Sequence, residues 1–193
     1  MIESLLEGKL VRLVDEEPEV ISKEFSRWGR DSEYQRLLNF DPAFLWSEKK
    51  WKEAIESELG KDNPREYFFN IQTLSEKRLI GFIGLMGIEW NHGNAWVAIG
   101  LGEREDWGKG YGSDAMRLIL QYAFNELNLY RLTLGFFEYN PRAQRSYEKV
   151  GFQLEGRQRQ MVQRAGKRWD VLIMGILQPD WQNTQLGAGL SNP

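Results

Sequence analysis

The chain has 193 residues, 41% hydrophobic and 27% charged, which is enough for one compact domain with a real core. Lys plus Arg number 25 and Asp plus Glu 28, a formal net charge of -3, so nothing in the charge balance points to nucleic acid or a membrane surface as the main partner. There is no cysteine, which excludes disulfides, thiolate catalysis and zinc–thiolate sites.

The segment Met1 to Glu7 carries acids where a signal peptide needs a basic region, and no apolar run approaches membrane-span length. A cytoplasmic location is the expectation. Lys9–Val14 reads as a short first strand. Glu16–Trp28 reads as a helix with Pro18 in its first turn, where a missing N–H costs nothing. Asp31–Asn39 is a candidate second helix. Glu48–Leu59 is a third, with Ser47 placed as N-cap, Gly60 as its stop, and Trp51, Ala54, Ile55 and Leu59 on one face.

Tyr67–Thr73 and Leu79–Glu89 read as strands of a hairpin, and Asn91 to Asn94 as a turn before a third strand, Ala95–Leu101. A helix is expected from about Ser113 to Leu127, because Met116, Ile119, Leu120, Ala123, Phe124 and Leu127 form one apolar stripe. Leu132–Phe136 follows as a strand. Strand, loop, helix, strand makes a crossover unit, so these two strands should run parallel. Asn140-Pro141 then starts a helix to Val150. Strands around Gln158–Gln163 and Trp169–Leu177 flank a turn at Ala165-Gly166, and Asn183–Pro193 reads as a disordered tail after a domain spanning residues 1–182.

The loop Trp107-Gly108-Lys109-Gly110-Tyr111-Gly112 joins a strand end to a helix start. Three alternating glycines leave successive amides uncovered, and the helix N-terminus adds free N–H groups and a positive dipole end. That pattern suits a diphosphate, although an isolated Gly-x-Gly-x-Gly also serves as a plain turn. Lys109 lies inside the loop rather than after it, so this is not a P-loop, and the spacing does not fit a dinucleotide fingerprint.

Two blocks make the chain similar to the GNAT superfamily of acetyl-CoA-dependent N-acetyltransferases, in particular the branch with ribosomal-protein N-terminal and spermidine acetyltransferases. One is Glu105 to Ala115, which resembles the family's Gln/Arg-x-x-Gly-x-Gly/Ala loop at Gly110 and Gly112, with Trp107 in the Gln/Arg position. The other is Asn140 to Phe152, which resembles Asn-x-x-Ala/Ser-x-x-x-Tyr-Glu-Lys-x-Gly-Phe. The resemblance implies an α/β (α+β) fold: a mostly antiparallel sheet of about seven strands, a splayed parallel central pair, and flanking helices. It implies acetyl-CoA as acetyl donor and no metal. Trp107, Gly108, Lys109, Gly110, Tyr111, Gly112 and Ser113 are expected to hold its phosphates, with Asn140 and Ala143 contacting it from the later helix. The backbone of Gly100, Leu101 and Gly102 is expected to pair with the pantetheine amides. Tyr147 is implied as the acid that protonates the departing thiolate; without the motif, packing under the sheet would be the default for such a tyrosine, and helix capping is the other role open to Asn140.

The carboxylate that many relatives place on a central strand is absent: Gly135, Val97 and Ala98 occupy those positions. Glu89, Glu103 and Glu138 are the nearby acids, none assigned as base, and the single histidine, His92, sits in the turn. A lysine amine of pKa about 10.4 is neutral in only about one molecule in 2,500 at pH 7, against roughly one in seven for an α-amine near 7.8. A site without a strong base therefore suits an α-amine better than a polyamine. Trp28, Phe40, Phe44, Trp46 and Trp51 are candidate walls for the acceptor, with core packing as their default role. The expected activity is direct attack of a primary amine on acetyl-CoA in a ternary complex. A non-catalytic acyl-CoA-binding module on the same fold is the alternative. A homodimer paired through the C-terminal strands is compatible with the sequence, and no residue compels it.

Overall fold

The computed structural model describes residues 4–59 and 63–189. In chain order it comprises β1 (Val11–Val14), α1 (Pro18–Trp28), α2 (Ser32–Leu38), α3 (Glu48–Leu59), β2 (Tyr67–Thr73), β3 (Leu79–Glu89), β4 (Asn94–Leu101), α4 (Tyr111–Gln121), β5 (Arg131–Phe137), α5 (Pro141–Glu148), β6 (Gln153–Arg164), β7 (Lys167–Leu177) and α6 (Gln178–Gly189). The seven strands form one sheet in the order β1-β2-β3-β4-β5-β7-β6. Every pairing is antiparallel except β4 with β5, which is parallel. This is the mixed α/β architecture implied by the two sequence blocks.

Local chemistry accounts for the helix starts. Pro18 opens α1, the Asp31 carboxylate accepts from Glu33 N–H at 2.9 Å to open α2, and the Ser47 hydroxyl accepts from Lys50 N–H at 3.3 Å ahead of α3. Gly60, the expected stop of α3, lies outside the described residues. One face of the sheet carries the main core, where Ile71, Ile83, Leu85, Leu132 and Met174 pack with Met116, Ile119, Leu120, Ala123 and Phe124 from the helix side. On the other face Phe25 meets Phe82 edge-on, at 5.7 Å, and Trp51, at 5.3 Å.

Three segments differ from the sequence reading. The helix after the glycine loop does not stay α-helical to Leu127. From Tyr122 to Glu126 it widens into a π turn, closed by Leu127 N–H to the Tyr122 carbonyl, with the Tyr122 ring set against Tyr67 and Phe69. Strand β6 begins at Gln153, five residues before its expected start, and almost all of it is exposed. A polar, solvated edge strand carries no apolar alternation, so periodicity missed its first half. Finally, α6 continues to Gly189, inside the segment read as a structureless tail. Pro179 sits in its first turn, and buried Trp181 packs on Phe124 at 5.3 Å, which anchors the helix to the core.

Candidate active site

Strands β4 and β5 are hydrogen-bonded neighbours only where Asn94, Ala95 and Trp96 face Arg131, Leu132 and Thr133. Beyond that point both strands continue, β4 to Leu101 against β3 and β5 to Phe137 against β7, but they no longer pair with each other. A cleft of about 540 Å³ opens between them, walled by the glycine loop, α5 and residues Tyr34, Leu37 and Leu38 of α2.

Ladder parity decides which backbone groups face this gap. Gly102 N–H donates to the Ile80 carbonyl at 2.9 Å. Alternation along an antiparallel strand then turns Gly100 toward β3 as well, and leaves Ile99 and Leu101 facing β5. On the other side Glu138 N–H donates to the Asp170 carbonyl, so Gly135 faces β4. The expectation for Gly100–Gly102 is corrected accordingly. Gly102 does not line the cleft: its amide is bonded to β3, and a Cβ there would run into the Trp28 ring. Leu101 does line it, and its carbonyl accepts from the Trp107 indole N–H at 2.8 Å.

The glycine loop is held from several directions. Ahead of it, a 3-10 turn at Arg104–Asp106 is anchored by buried Asp106, which accepts two bonds of 2.8 Å from Arg78. Inside it, Gly108 and Gly110 have φ of +79° and +91°, a region that favours glycine. A Cβ on Gly108 would meet open space, so the backbone there is bare. Behind it, Asp114 in the first turn of α4 accepts from Leu10 N–H at 2.8 Å and Val11 N–H at 3.2 Å, tying the loop's helix to the start of β1. The Ser113 and Ser146 hydroxyls meet at 3.0 Å and join α4 to α5.

Trp107, Gly108, Gly110, Gly112 and Ser113 line the cleft together with Asn140, Ala143 and Tyr147. Lys109 is exposed on the loop and Tyr111 packs against the core, both off the cleft. Asn140 caps α5, its side-chain oxygen accepting from Ala143 N–H at 3.2 Å. Tyr147 lies between Phe136 at 5.7 Å and Phe152 at 6.2 Å, and its hydroxyl has no hydrogen-bond partner among the described residues. Burial there pushes its phenol up to about 12. Tyr34, across the cleft, is likewise pushed up by burial.

None of the nearby acids faces the cleft. Glu103 pairs with Arg27 at 2.9 Å, Glu138 pairs with Arg157 at 3.1 Å, and Glu89 lies at the opposite end of β4, across from Asn94. His92 is an exposed turn residue. Among the front aromatics, Trp28 is core, Phe44, Trp46 and Trp51 cluster with one another, and Phe40 sits edge-on to Phe137 at 5.1 Å; none lines the cleft. The sequence reading missed Tyr34, Leu37 and Leu38, which reach the site only through the tertiary placement of α2. It also assigned no role to Arg142, Arg145 and Lys149, cleft-lining cations inside the second block whose spacing of three and four, along α5 and onto the residue that caps its end, was the available signal.

The bare loop amides and the unpaired strand edges fit an elongated ligand with phosphates at one end and amides along its length. The family model described as acetyltransferase (GNAT) domain matches residues 12–153. A probable N-acetyltransferase of Bacillus subtilis, YjcK, is 35% identical over 130 residues, covering 67% of this chain and 71% of its own length. The spermidine N(1)-acetyltransferase of Vibrio cholerae is 34% identical over 109 residues, 56% of this chain and 62% of that protein. Among solved structures, spermidine N-acetyltransferase from Vibrio cholerae in complex with CoA and spermine superposes with a TM-score of 0.75 at 25% identity, covering 90% of this chain and 97% of that one. The chain belongs to the GNAT acetyltransferase family, whose members move an acetyl group from acetyl-CoA to an amine.

Proposed function

We propose that this acetyltransferase acts on a primary α-amine, at a protein N-terminus or on a small molecule, by direct attack in a ternary complex. The observation that carries this reading is the charge of the cleft: Arg142, Arg145 and Lys149 line it, and no carboxylate does among the described residues. That lining favours a polyanionic donor and disfavours an acceptor with several ammonium groups. It also offers no base strong enough to deprotonate a lysine-like amine.

In this reading acetyl-CoA supplies the thioester whose carbonyl carbon the amine attacks. The loop amides of Gly108, Gly110 and Gly112 and the N-terminus of α4 hold the phosphates. Ile99, Leu101 and Gly135 offer the backbone groups along which the pantetheine arm lies, and Asn140 and Ala143 flank it. Tyr147 stays protonated at neutral pH and donates its proton to sulfur as the C–S bond breaks; the proton shed by the amine nitrogen passes to water, and water returns one to the phenolate. With no cysteine in the chain, no thiol carries the acetyl group in between. A cytoplasmic setting and a homodimer formed along the exposed β6 edge are further parts of the proposal; sedimentation of the purified chain tests the dimer.

The test is thiol release measured with N-terminal peptides, polyamines, aminoglycosides and free amino acids. Turnover led by α-amines supports the reading, and turnover led by polyamines overturns the acceptor class. Tight acetyl-CoA binding with no amine turned over would establish the non-catalytic alternative.

A further inference from the structure

The glycine loop itself offers the cleft no positive side chain. Trp107 has its indole N–H on the Leu101 carbonyl, and Lys109 is exposed outside the lining. The cation at this end of the cleft comes from elsewhere in the chain. The Arg142 guanidinium lies over the Trp107 ring, 3.8 Å from its centroid. Stacking on an indole fixes the plane of a guanidinium and leaves its N–H edge free to bind.

Arg142 has no carboxylate partner among the described residues. Arg104 also approaches this ring, at 5.9 Å from its centroid, but is held by Asp31 and Glu33. Arg142 is also the second residue of α5, at the positive end of that helix, where a cation is electrostatically misplaced. Burial pulls its pKa below the ordinary guanidinium value, with Glu33 only partly opposing the shift. A partly desolvated, unpaired arginine at a helix N-terminus, facing a bare glycine loop, is arranged for an anion that approaches both.

We infer that Arg142, aligned by Trp107, is the diphosphate-binding arginine of this acetyltransferase and sets its preference for coenzyme A over shorter acyl carriers. The inference rests on the acetyl-CoA reading above. The stacked pair takes the side-chain role in binding while the loop amides take the backbone role.

The experiment measures calorimetric binding of acetyl-CoA, acetyl-3′-dephospho-CoA and acetyl-pantetheine to the wild type, Arg142→Met and Arg142→Lys. Removing a charge-assisted contact of this kind should weaken acetyl-CoA and the dephospho analogue by about ten- to a hundredfold in Arg142→Met. Acetyl-pantetheine, which has no diphosphate, should bind wild type and variant alike. Arg142→Lys keeps the charge without the planar fork and should lose less in the same ligand order; it carries the test should the methionine variant not fold. Unchanged acetyl-CoA affinity in either folded variant overturns the inference. So does an equal loss for all three ligands, which marks a structural role, or a loss confined to acetyl-CoA, which assigns the 3′-phosphate instead. If the wild type binds none of the three, the acetyl-CoA reading itself fails, an outcome distinct from any of these.

Discussion

Tyr147 shows how one side chain can be structural and chemical at once. Its ring packs between Phe136 and Phe152, and that packing raises the pKa of the hydroxyl facing the cleft to about 12. Replacing it with Phe keeps the packing and removes the proton. We expect Tyr147→Phe to lower turnover by about 10²- to 10⁴-fold, with acetyl-CoA affinity largely unchanged, as read by thiol release and calorimetry. The pH profile follows from the same residue. An α-amine acceptor should make kcat/KM rise through about pH 8 as it deprotonates, and the curve should then stay flat to about pH 11. A fall near pH 9 would identify a different acid. The folded pKa lies above the ordinary phenol value, so the stability Tyr147 contributes is present below about pH 10 and is lost as pH climbs toward 12. Chemical denaturation of wild type and Tyr147→Phe at pH 9 and pH 11 should show a steeper loss for the wild type. Asn140 and Tyr147 were legible because their spacing forms a motif. Arg142 lies inside the same block at a position the motif leaves open, and its meaning depends on an indole 35 positions earlier in the sequence.

Among the elements, the glycine loop is a flexible sequence made rigid by its neighbours. Arg78 grips the turn before it, and the Asp114 carboxylate fastens the helix after it to β1. Breaking the first grip with Asp106→Asn leaves a buried amide facing a guanidinium. We expect a loss of about 2–3 kcal/mol in urea unfolding, with weaker acetyl-CoA binding as the loop loosens. Within the loop, Gly110→Ala forces a side chain into positive φ and brings its Cβ to 3.4 Å from Leu10. That change should cost about 1–2 kcal/mol, seen as a lower midpoint in the same unfolding experiment. The alternating glycines and the strand-to-helix context were readable without a structure. The parity that turns Leu101 toward the cleft and Gly102 away was not, because shifting the β3–β4 register by one residue would reverse it. The first half of β6 was hidden for a related reason: an edge strand exposed on both faces has no apolar rhythm to display.

At the scale of the molecule, the sheet is two antiparallel halves, β1 to β4 and β5 to β7, joined by one short parallel seam. Antiparallel neighbours and the long amphipathic helix between the halves were predictable from alternation and a 3.6-residue stripe; how far the seam runs before it parts was not, since nothing in a local pattern says where two strands stop pairing. A ligand lying in the gap adds contacts to both halves, so the native state should gain stability by mass action. Acetyl-CoA at about a hundred times its Kd should contribute about 2.7 kcal/mol and raise Tm by about 5–10 °C. A Tm unmoved by saturating acetyl-CoA would mean the gap does not hold it. The parting of β4 and β5 has a further consequence for the clocks of individual amides. Where the strands separate, Ile99 and Leu101 sit in a folded core yet have no carbonyl across from them on β5. Their N–H groups should trade hydrogen for deuterium far faster than those of Ala98 and Gly100, one residue away and locked to β3. Bound acetyl-CoA should slow the fast pair and leave the slow pair alone, giving an odd–even pattern of protection along a single strand.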